Sequence, residues 1–257
     1  MKILKRVLYF IGLPVLLIAL WWVLTLGPTN FFVPKPVTLA QTFWEVWASD
    51  RFWTDFVPSI LRLLVGLLAT IVLGVIFGVL IGSFRWLRSF TEPMLEFMRA
   101  IPPPVLVPLL MLLIGINDQM KIVVIISGAI WPVLLNTVEG VRAVDPVLSE
   151  TSRTYQITGF ARLRYLVLPG ASPQIMTGVR QSTSIALILM VISEMFGSSS
   201  GLGFTIVLFQ RAFAIPEMWS GIVVLGLVGV GLSVISQSIE KRVLRWYSGL
   251  KEVQHGS

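Results

Sequence analysis

Residues 150–169 read ETSRTYQITGFARLRYLVLP. Arg153, Arg162 and Arg164 lie in this stretch, and apolar runs of membrane-spanning length flank it. The whole chain of 257 residues is 55% apolar and only 13% charged, with a mean hydropathy of +0.85. Soluble domains carry about 25% charged residues, so the chain is read as a membrane protein. A polar connection this long between two spanning helices is uncommon, and long connections usually carry function. From the residues alone two readings stand: a docking element by which another protein grips the membrane part, or a solvated basic loop beside lipid.

The polar region extends over Glu139–Gly178 and has helical patterning. Asp145-Pro146 suits a helix start, with proline in the first turn. Glu150 to Tyr155 continues that helix, Thr158-Gly159 breaks it, and Phe160–Leu168 resumes with apolar and basic residues alternating. Pro169 and Pro173 punctuate the entry to the next span. The expected form is a helix–turn–helix with Tyr155, Ile157 and Phe160 near its tip, ringed by arginine.

Outward from this loop the sequence predicts an all-α membrane protein of about six spans: Val7–Leu26, Ile60–Ser83, Pro93–Gly115, Lys121–Thr137, Val179–Gly197 and Glu217–Gln237. Each is long enough for a hydrocarbon core of about 30 Å. The first run is too long for a signal-peptide core and has no small-residue cleavage site after it. Between the first two spans, PTNFFVPKP reads as extended, and Thr38 caps a short amphipathic helix, LAQTFWEVWAS, suited to the membrane interface. Asp50–Pro58 reads as an interfacial turn, Phe84–Glu92 and Ile116–Met120 as connections, and Ser198–Pro216 as an outer segment. Gly74, Gly78 and Gly82 recur every four residues and allow close helix packing.

The net charge of +7 is explained by lysine and arginine collected on one side of the membrane, without nucleic acid. With six spans and both termini cytoplasmic, fifteen basic residues fall inside and five outside: Lys35, Arg51, Arg62, Lys121 and Arg211. The same orientation puts the loop between spans four and five in the cytoplasm. The predicted organisation is a single domain over 1–257. Residues 1–58 hold the first span and the outer amphipathic segment, 59–237 a five-helix core that includes the loop 139–178, and 238–257 a cytoplasmic tail.

Much chemistry is excluded. There is no cysteine, and the one histidine, His255, lies in the tail EVQHGS, so thiol catalysis and metal binding by cysteine or histidine are not expected. No G-x-x-x-x-G-K-[ST] phosphate loop occurs, and no span carries the arginine ladder of a voltage sensor. Enzyme, ATPase and voltage-gated channel all lose ground. A pore driven from outside the chain remains, with a self-contained six-helix channel or facilitator as its rival. Candidates for the path are Pro102, Pro103 and Pro104, Gln181 and Ser184, and Glu194. The three prolines mark either a broken helix beside a water-filled cavity or a loop before a span that starts at Val105. Gln181, Ser182 and Ser184 either line the path or bond across helices. Arg99 either guards the inner mouth or snorkels. Glu194 is a pore-lining group or a structural one bonded near SSSGLG.

Five stretches carry a resemblance: FVPKP, AIPPPVLVPLLMLLIGIND, WPVLLNTVEGVRAVDP, SEMFGSSSGLG, and the loop with Glu150-Thr151-Ser152 and Leu168-Pro169. From about Phe32 to the end of the sixth span, the sequence resembles the membrane permease subunit of bacterial ABC importers, in the branch serving sulfonates, taurine, nitrate and related compounds. The family's loop carries Glu-Ala-Ala, a glycine six residues after the glutamate, and a closing Leu-Pro. Here Thr151 and Ser152 replace the alanines, Gln156 stands at the glycine position, and Gly159 follows three residues on; the resemblance leads us to expect that Gly159 takes over the hinge.

The resemblance implies a multi-pass protein of the bacterial inner membrane, in contact with lipid and paired with a second permease copy. Each loop would dock on one of two cytoplasmic ATPase subunits through Glu150, Thr151, Ser152, Tyr155, Gln156, Gly159, Phe160, Leu168 and Pro169. ATP and Mg would sit on those ATPases, with no cofactor on this chain. An extracytoplasmic solute-binding protein would deliver a small anion, or another small nutrient such as a pyrimidine or aromatic acid, for import by alternating access.

Overall fold

The computed structural model describes residues 2–27 and 31–247, with side chains from residue 12 onward. The side chains of Lys2, Lys5 and Arg6, residues 28–30 of the expected extended stretch, and the tail with Lys251 and His255 lie outside the described residues. The described residues form helices and no strand. In order they are α1 (Lys2–Leu24), α2 (Pro36–Trp47), α3 (Val57–Ser83), α4 (Arg85–Ala100), α5 (Leu106–Ile114), α6 (Asp118–Arg142), α7 (Pro146–Thr154), α8 (Gly159–Arg162), α9 (Leu168–Phe196), α10 (Leu202–Arg211) and α11 (Ile215–Val243).

Among the described residues, four helical stretches are long and apolar enough to cross a membrane: Phe52–Ser83, Asp118–Arg142, Gly159–Phe196 and Ile215–Val243. The pair α4–α5, bent by 75°, adds a fifth if counted as one span. Their outward faces carry large exposed apolar side chains such as Leu68, Leu112 and Val230, which suits contact with lipid tails.

The third predicted span is redrawn. Phe84–Glu92, expected as a connection, is the first half of α4, which continues through Pro93 to Ala100. Arg85, Arg88, Glu92, Glu96 and Arg99 recur three or four residues apart, the spacing of one polar helix face. Away from that stripe, Leu87 and Leu95 pack against Ile81, Leu134 and Val138. The break comes at Ile101-Pro102, both extended (ψ 119° and 120°), before a short 3-10 turn over Pro103–Val105 opens α5. Proline disfavours helical backbone in the residue before it, so Pro102 and Pro103 end α4 in succession.

Two other connections are more helical than the sequence suggested. Phe52–Phe56 is a π turn running straight into α3, and Ser198–Pro216 contains α10. The polar region 139–178 is also shorter as a loop than its composition implies, because α6 runs to Arg142 and α9 starts at Leu168. Charge marks where a membrane ends, and a helix is free to continue past that level.

The chain divides into two compact units. One comprises Met1–Pro58 with Ser199–Gly226. In it Trp47 donates its indole N–H to Ser220 Oγ at 3.1 Å, and buried Asp55 accepts from Gly201 N–H at 3.0 Å. The other comprises Ser59–Ser198 with Leu227–Ser257 and holds every residue of the candidate site. Its spine is α6, whose buried residues, from Met120 and Val124 through Ala129 and Val133 to Thr137, repeat at helical spacing. Against α6 lies the small-residue face of α3: a Cβ built on Gly78 would stand 2.5 Å from Thr137 Cβ, and one on Gly74 would stand 2.8 Å from Val133 Cβ. The glycine repeat is therefore a close helix crossing.

Candidate functional site

The loop between α6 and α9 is held by hydrogen bonds among its own residues. Asp145 accepts from Val147 N–H at 2.7 Å and Pro146 occupies the first turn, so α7 starts as its sequence predicts. Its end explains the departure at Gln156. Ile157 N–H donates to Ser152 O at 2.8 Å and Gln156 N–H donates to Arg153 O at 3.0 Å, the bond pair of a Schellman turn, whose central residue is left-handed and usually glycine. Gln156 holds that position with φ 55°. Gly159 is left-handed as well, with φ 57°. The hinge therefore does not move to Gly159: the turn demands a left-handed residue at 156 whatever its side chain, and Gly159 adds a second such point.

Ser152 shows why the middle of α7 needs small residues. It is buried, and its hydroxyl donates to Ile157 O at 2.9 Å, closing the turn from inside. Arg162 Nη2 donates to Ser149 Oγ at 2.7 Å and ties α8 back to α7. The tip is left uncovered, with Tyr155 75% and Phe160 73% exposed. Glu150, Thr151, Gln156 and Gly159 are also exposed, while Leu168 and Pro169 are half-buried in the first turn of α9. The result is a hydrogen-bonded turn that presents two exposed aromatic side chains, with Arg153 and Arg164 exposed as well.

A cavity of about 550 Å³ opens beside α9. Pro103 and Pro104 from the broken span line it, with Arg99, Trp131, Asn136 and Gln181 as its polar-capable groups and Ile185, Ile188 and Leu189 as its apolar wall. Pro102 sits at the bend without lining it. Ser184 faces a separate cavity of about 290 Å³ with Arg180, Ser233 and Ser236, and Ile188 borders both. Ser182 is buried and bonds across to the Ala129 carbonyl of α6.

Glu194 lines neither of these cavities. It is fully buried, accepts from Ser59 Oγ at 2.7 Å and from Arg62 Nη1 at 2.7 Å. Arg62 Nε in turn donates to Asp118 at 2.8 Å, and Lys121 Nζ donates to the same carboxylate at 3.2 Å. Two cations and two carboxylates thus bind α3, α6 and α9 together. The sequence reading missed Arg62, Ser59, Asp118 and Lys121 as partners. The signal was there: Arg62 falls inside the predicted second span, and an ionisable group within a span needs a partner.

Residues 70–248 match the family model described as binding-protein-dependent transport system inner membrane component. A Bacillus subtilis (strain 168) protein named for aliphatic sulfonates transport permease is 33% identical over 91% of this chain and 86% of its own length. The taurine transport system permease protein of Escherichia coli (strain K12) is 25% identical over 95% of this chain and 91% of its own. In fold, the chain resembles a chain from inward-facing structures of the MetNI methionine ABC transporter, with a TM-score of 0.58, 19% identity, and coverage of 80% of this chain and 96% of that one. The chain belongs to the family of binding-protein-dependent transport inner-membrane components, and is a multi-pass ABC transporter permease of the inner membrane.

Proposed function

We propose that the chain is one half of the pore of an ATP-driven importer for a small anion, crossing the membrane six times with both termini in the cytoplasm. Two copies form the pore. Two cytoplasmic ATPase subunits carry ATP and Mg and grip the loop, and an extracytoplasmic binding protein delivers the solute. The observation that carries this reading is the tip of the α7–α8 turn. Two exposed aromatic side chains, Tyr155 and Phe160, stand on a turn fixed by its own hydrogen bonds. A lipid-facing loop has no need of such rigidity; a lever does. Glu150, exposed on α7, is assigned to face the ATPase. The fifteen-to-five charge asymmetry supports the orientation, and the relatives named for sulfonates and taurine support an anionic or zwitterionic sulfonate-like solute.

The test is reconstitution with and without the ATPase. Glu150→Arg is expected to leave the permease inserted and to uncouple ATP hydrolysis from uptake. Unchanged coupling removes the role of Glu150. Uptake by the purified chain alone, without ATP or any partner, replaces the importer with a self-contained facilitator.

A further inference from the structure

We propose that α4 is a membrane-surface helix. It lies in the cytoplasmic leaflet, sets Trp86, Phe90, Met94 and Phe97 among the acyl chains, and pairs Arg85 and Arg88 with the phosphate groups of anionic phospholipid. This rests on the importer reading above for one point, that α4 is on the cytoplasmic side, and adds a partner of defined chemistry.

The helix has three faces of different composition. Leu87 and Leu95 pack against Ile81, Leu134 and Val138, so α4 is docked on the core of its unit. Arg85, Arg88, Glu92, Glu96 and Arg99 make the charged stripe. Trp86, Phe90, Met94 and Phe97 recur every three or four residues as well and are apolar, yet each is between 67% and 79% exposed. A docked helix with a charged stripe beside an uncovered aromatic one matches the interfacial class, whose apolar face sinks about 5–10 Å into the headgroup and acyl boundary.

The direction of the helix agrees. Five charged side chains along 16 residues do not suit hydrocarbon, where an ionised group is costly, whereas α5 carries none. The 75° bend falls at this change of composition. With α5 along the membrane normal, the bend turns α4 most of the way into the membrane plane. A second copy of this chain fits the apolar stripe less well, because charge runs along its whole edge and the cores of protein interfaces are depleted in charge.

The arginines select the lipid. The α3 span ends at Ser83, so Arg85, Trp86 and Arg88 stand at the membrane exit, where aromatic and basic residues meet the headgroups. Arg99, Arg142 and Arg180 each pair with a carboxylate. The Arg85 and Arg88 side chains pair with none among the described residues. Basic side chains at this level are attracted to anionic lipid, and a guanidinium fork matches phosphate oxygens in bidentate fashion.

The chain has no cysteine, so one introduced thiol carries one fluorophore. The full chain with Phe90→Cys or Glu92→Cys is labelled and placed in phosphatidylcholine vesicles, with no ATPase or solute present. Acyl-brominated lipid is expected to quench the label at 90 and aqueous iodide to quench the label at 92. Mixing in brominated phosphatidylglycerol then reads the lipid chosen at position 90. Phosphatidylglycerol is expected to be preferred about fivefold or more, the attraction of one basic residue to an anionic surface. Arg85→Gln with Arg88→Gln is expected to abolish that preference, and Arg85→Lys with Arg88→Lys to keep most of it. Unfolding temperature is expected to be the same in both double variants, since these side chains have no protein partner, which separates lost lipid from lost fold. Iodide quenching at 90 as strong as at 92 overturns the proposal by putting the stripe in water. Shielding of 90 from both quenchers overturns it in favour of a second copy. Equal use of the two lipids by the wild type, or a preference that survives the glutamine changes, overturns the role of the arginines. None of these results touches ATP coupling, so the importer reading stands or falls separately.

Discussion

Arg62 Nη1 donates to Glu194 Oε1 at 2.7 Å across 132 residues of sequence, with the glutamate fully buried. Removing one partner of a buried pair costs about 3–5 kcal/mol, because the other charge is left without compensation, whereas replacing both by apolar groups is often neutral. Arg62→Met is therefore expected to lower the apparent unfolding temperature sharply. Glu194→Gln is expected to cost less, about 1–3 kcal/mol, since Ser59 still has an oxygen to bond and Asp118 still faces Arg62. The double change Arg62→Met with Glu194→Leu is expected to recover most of the loss. Tryptophan-fluorescence melting in detergent reads all three. An Arg62→Met variant that melts with the wild type would show that the pair does not hold these helices together.

The turn at Gln156 makes a prediction of opposite sign. A side-chain-bearing residue in left-handed backbone costs about 1–2 kcal/mol relative to its right-handed form, a cost glycine avoids. With φ 55° at Gln156, Gln156→Gly is expected to stabilise the turn by about 1 kcal/mol, and Gln156→Val to destabilise it by more. The turn opens locally, so the sensitive observable is hydrogen exchange at the Ile157 amide, bonded to Ser152 O. Its exchange is expected to slow about fivefold in the glycine variant. Faster exchange there would contradict the Schellman geometry.

Features carried by neighbours in sequence were legible before the structure. The start of α7 at Asp145-Pro146, the break near Thr158-Gly159 and the close approach at Gly74 and Gly78 each depend on a few local residues. α4 was misread although its polar stripe has helical spacing, because Pro93 looked like a start and the charges looked like a loop. The Arg62–Glu194 pair was out of reach for another reason. Nothing in local periodicity says which of several helices will lie beside α9. The grouping of Arg99 with Gln181 beside one cavity depends in the same way on the 75° bend between α4 and α5.

Asp55 tests the unit that holds α10. Its carboxylate, 5% exposed, accepts from Gly201 N–H at 3.0 Å and from Arg51 Nη1 at 3.2 Å. It stands just ahead of α10, where a negative charge also favours the helix N-terminus. Asp55→Ala leaves the Gly201 donor buried without this acceptor, a change of about 1–3 kcal/mol. Asp55→Asn keeps an oxygen for Gly201 and is expected to lose less. Limited proteolysis across Ser198–Leu202 is the measurement, with faster cleavage expected in the order wild type, Asn, Ala. Equal cleavage of all three would mean that Asp55 does not secure this segment.

Gly78 tests the spine. A Cβ there would meet Thr137 Cβ at 2.5 Å and Leu134 O at 2.9 Å, and neither neighbour is the flexible end of a long side chain. Overpacking of this kind typically costs about 1–3 kcal/mol, so Gly78→Ala is expected to lower the apparent unfolding temperature and Gly78→Leu to prevent accumulation of folded protein. Gly231 in α11 is the matched control, since nothing lies within 4 Å of its added Cβ. Gly231→Ala is expected to be neutral or mildly stabilising, in line with the helix preference for alanine. Thr137→Gly removes the closest obstructing atom, so combining it with Gly78→Ala should return part of the lost stability. A Gly78→Ala variant as stable as Gly231→Ala, or a pair of changes that simply add, would mean that α3 and α6 do not meet at this point.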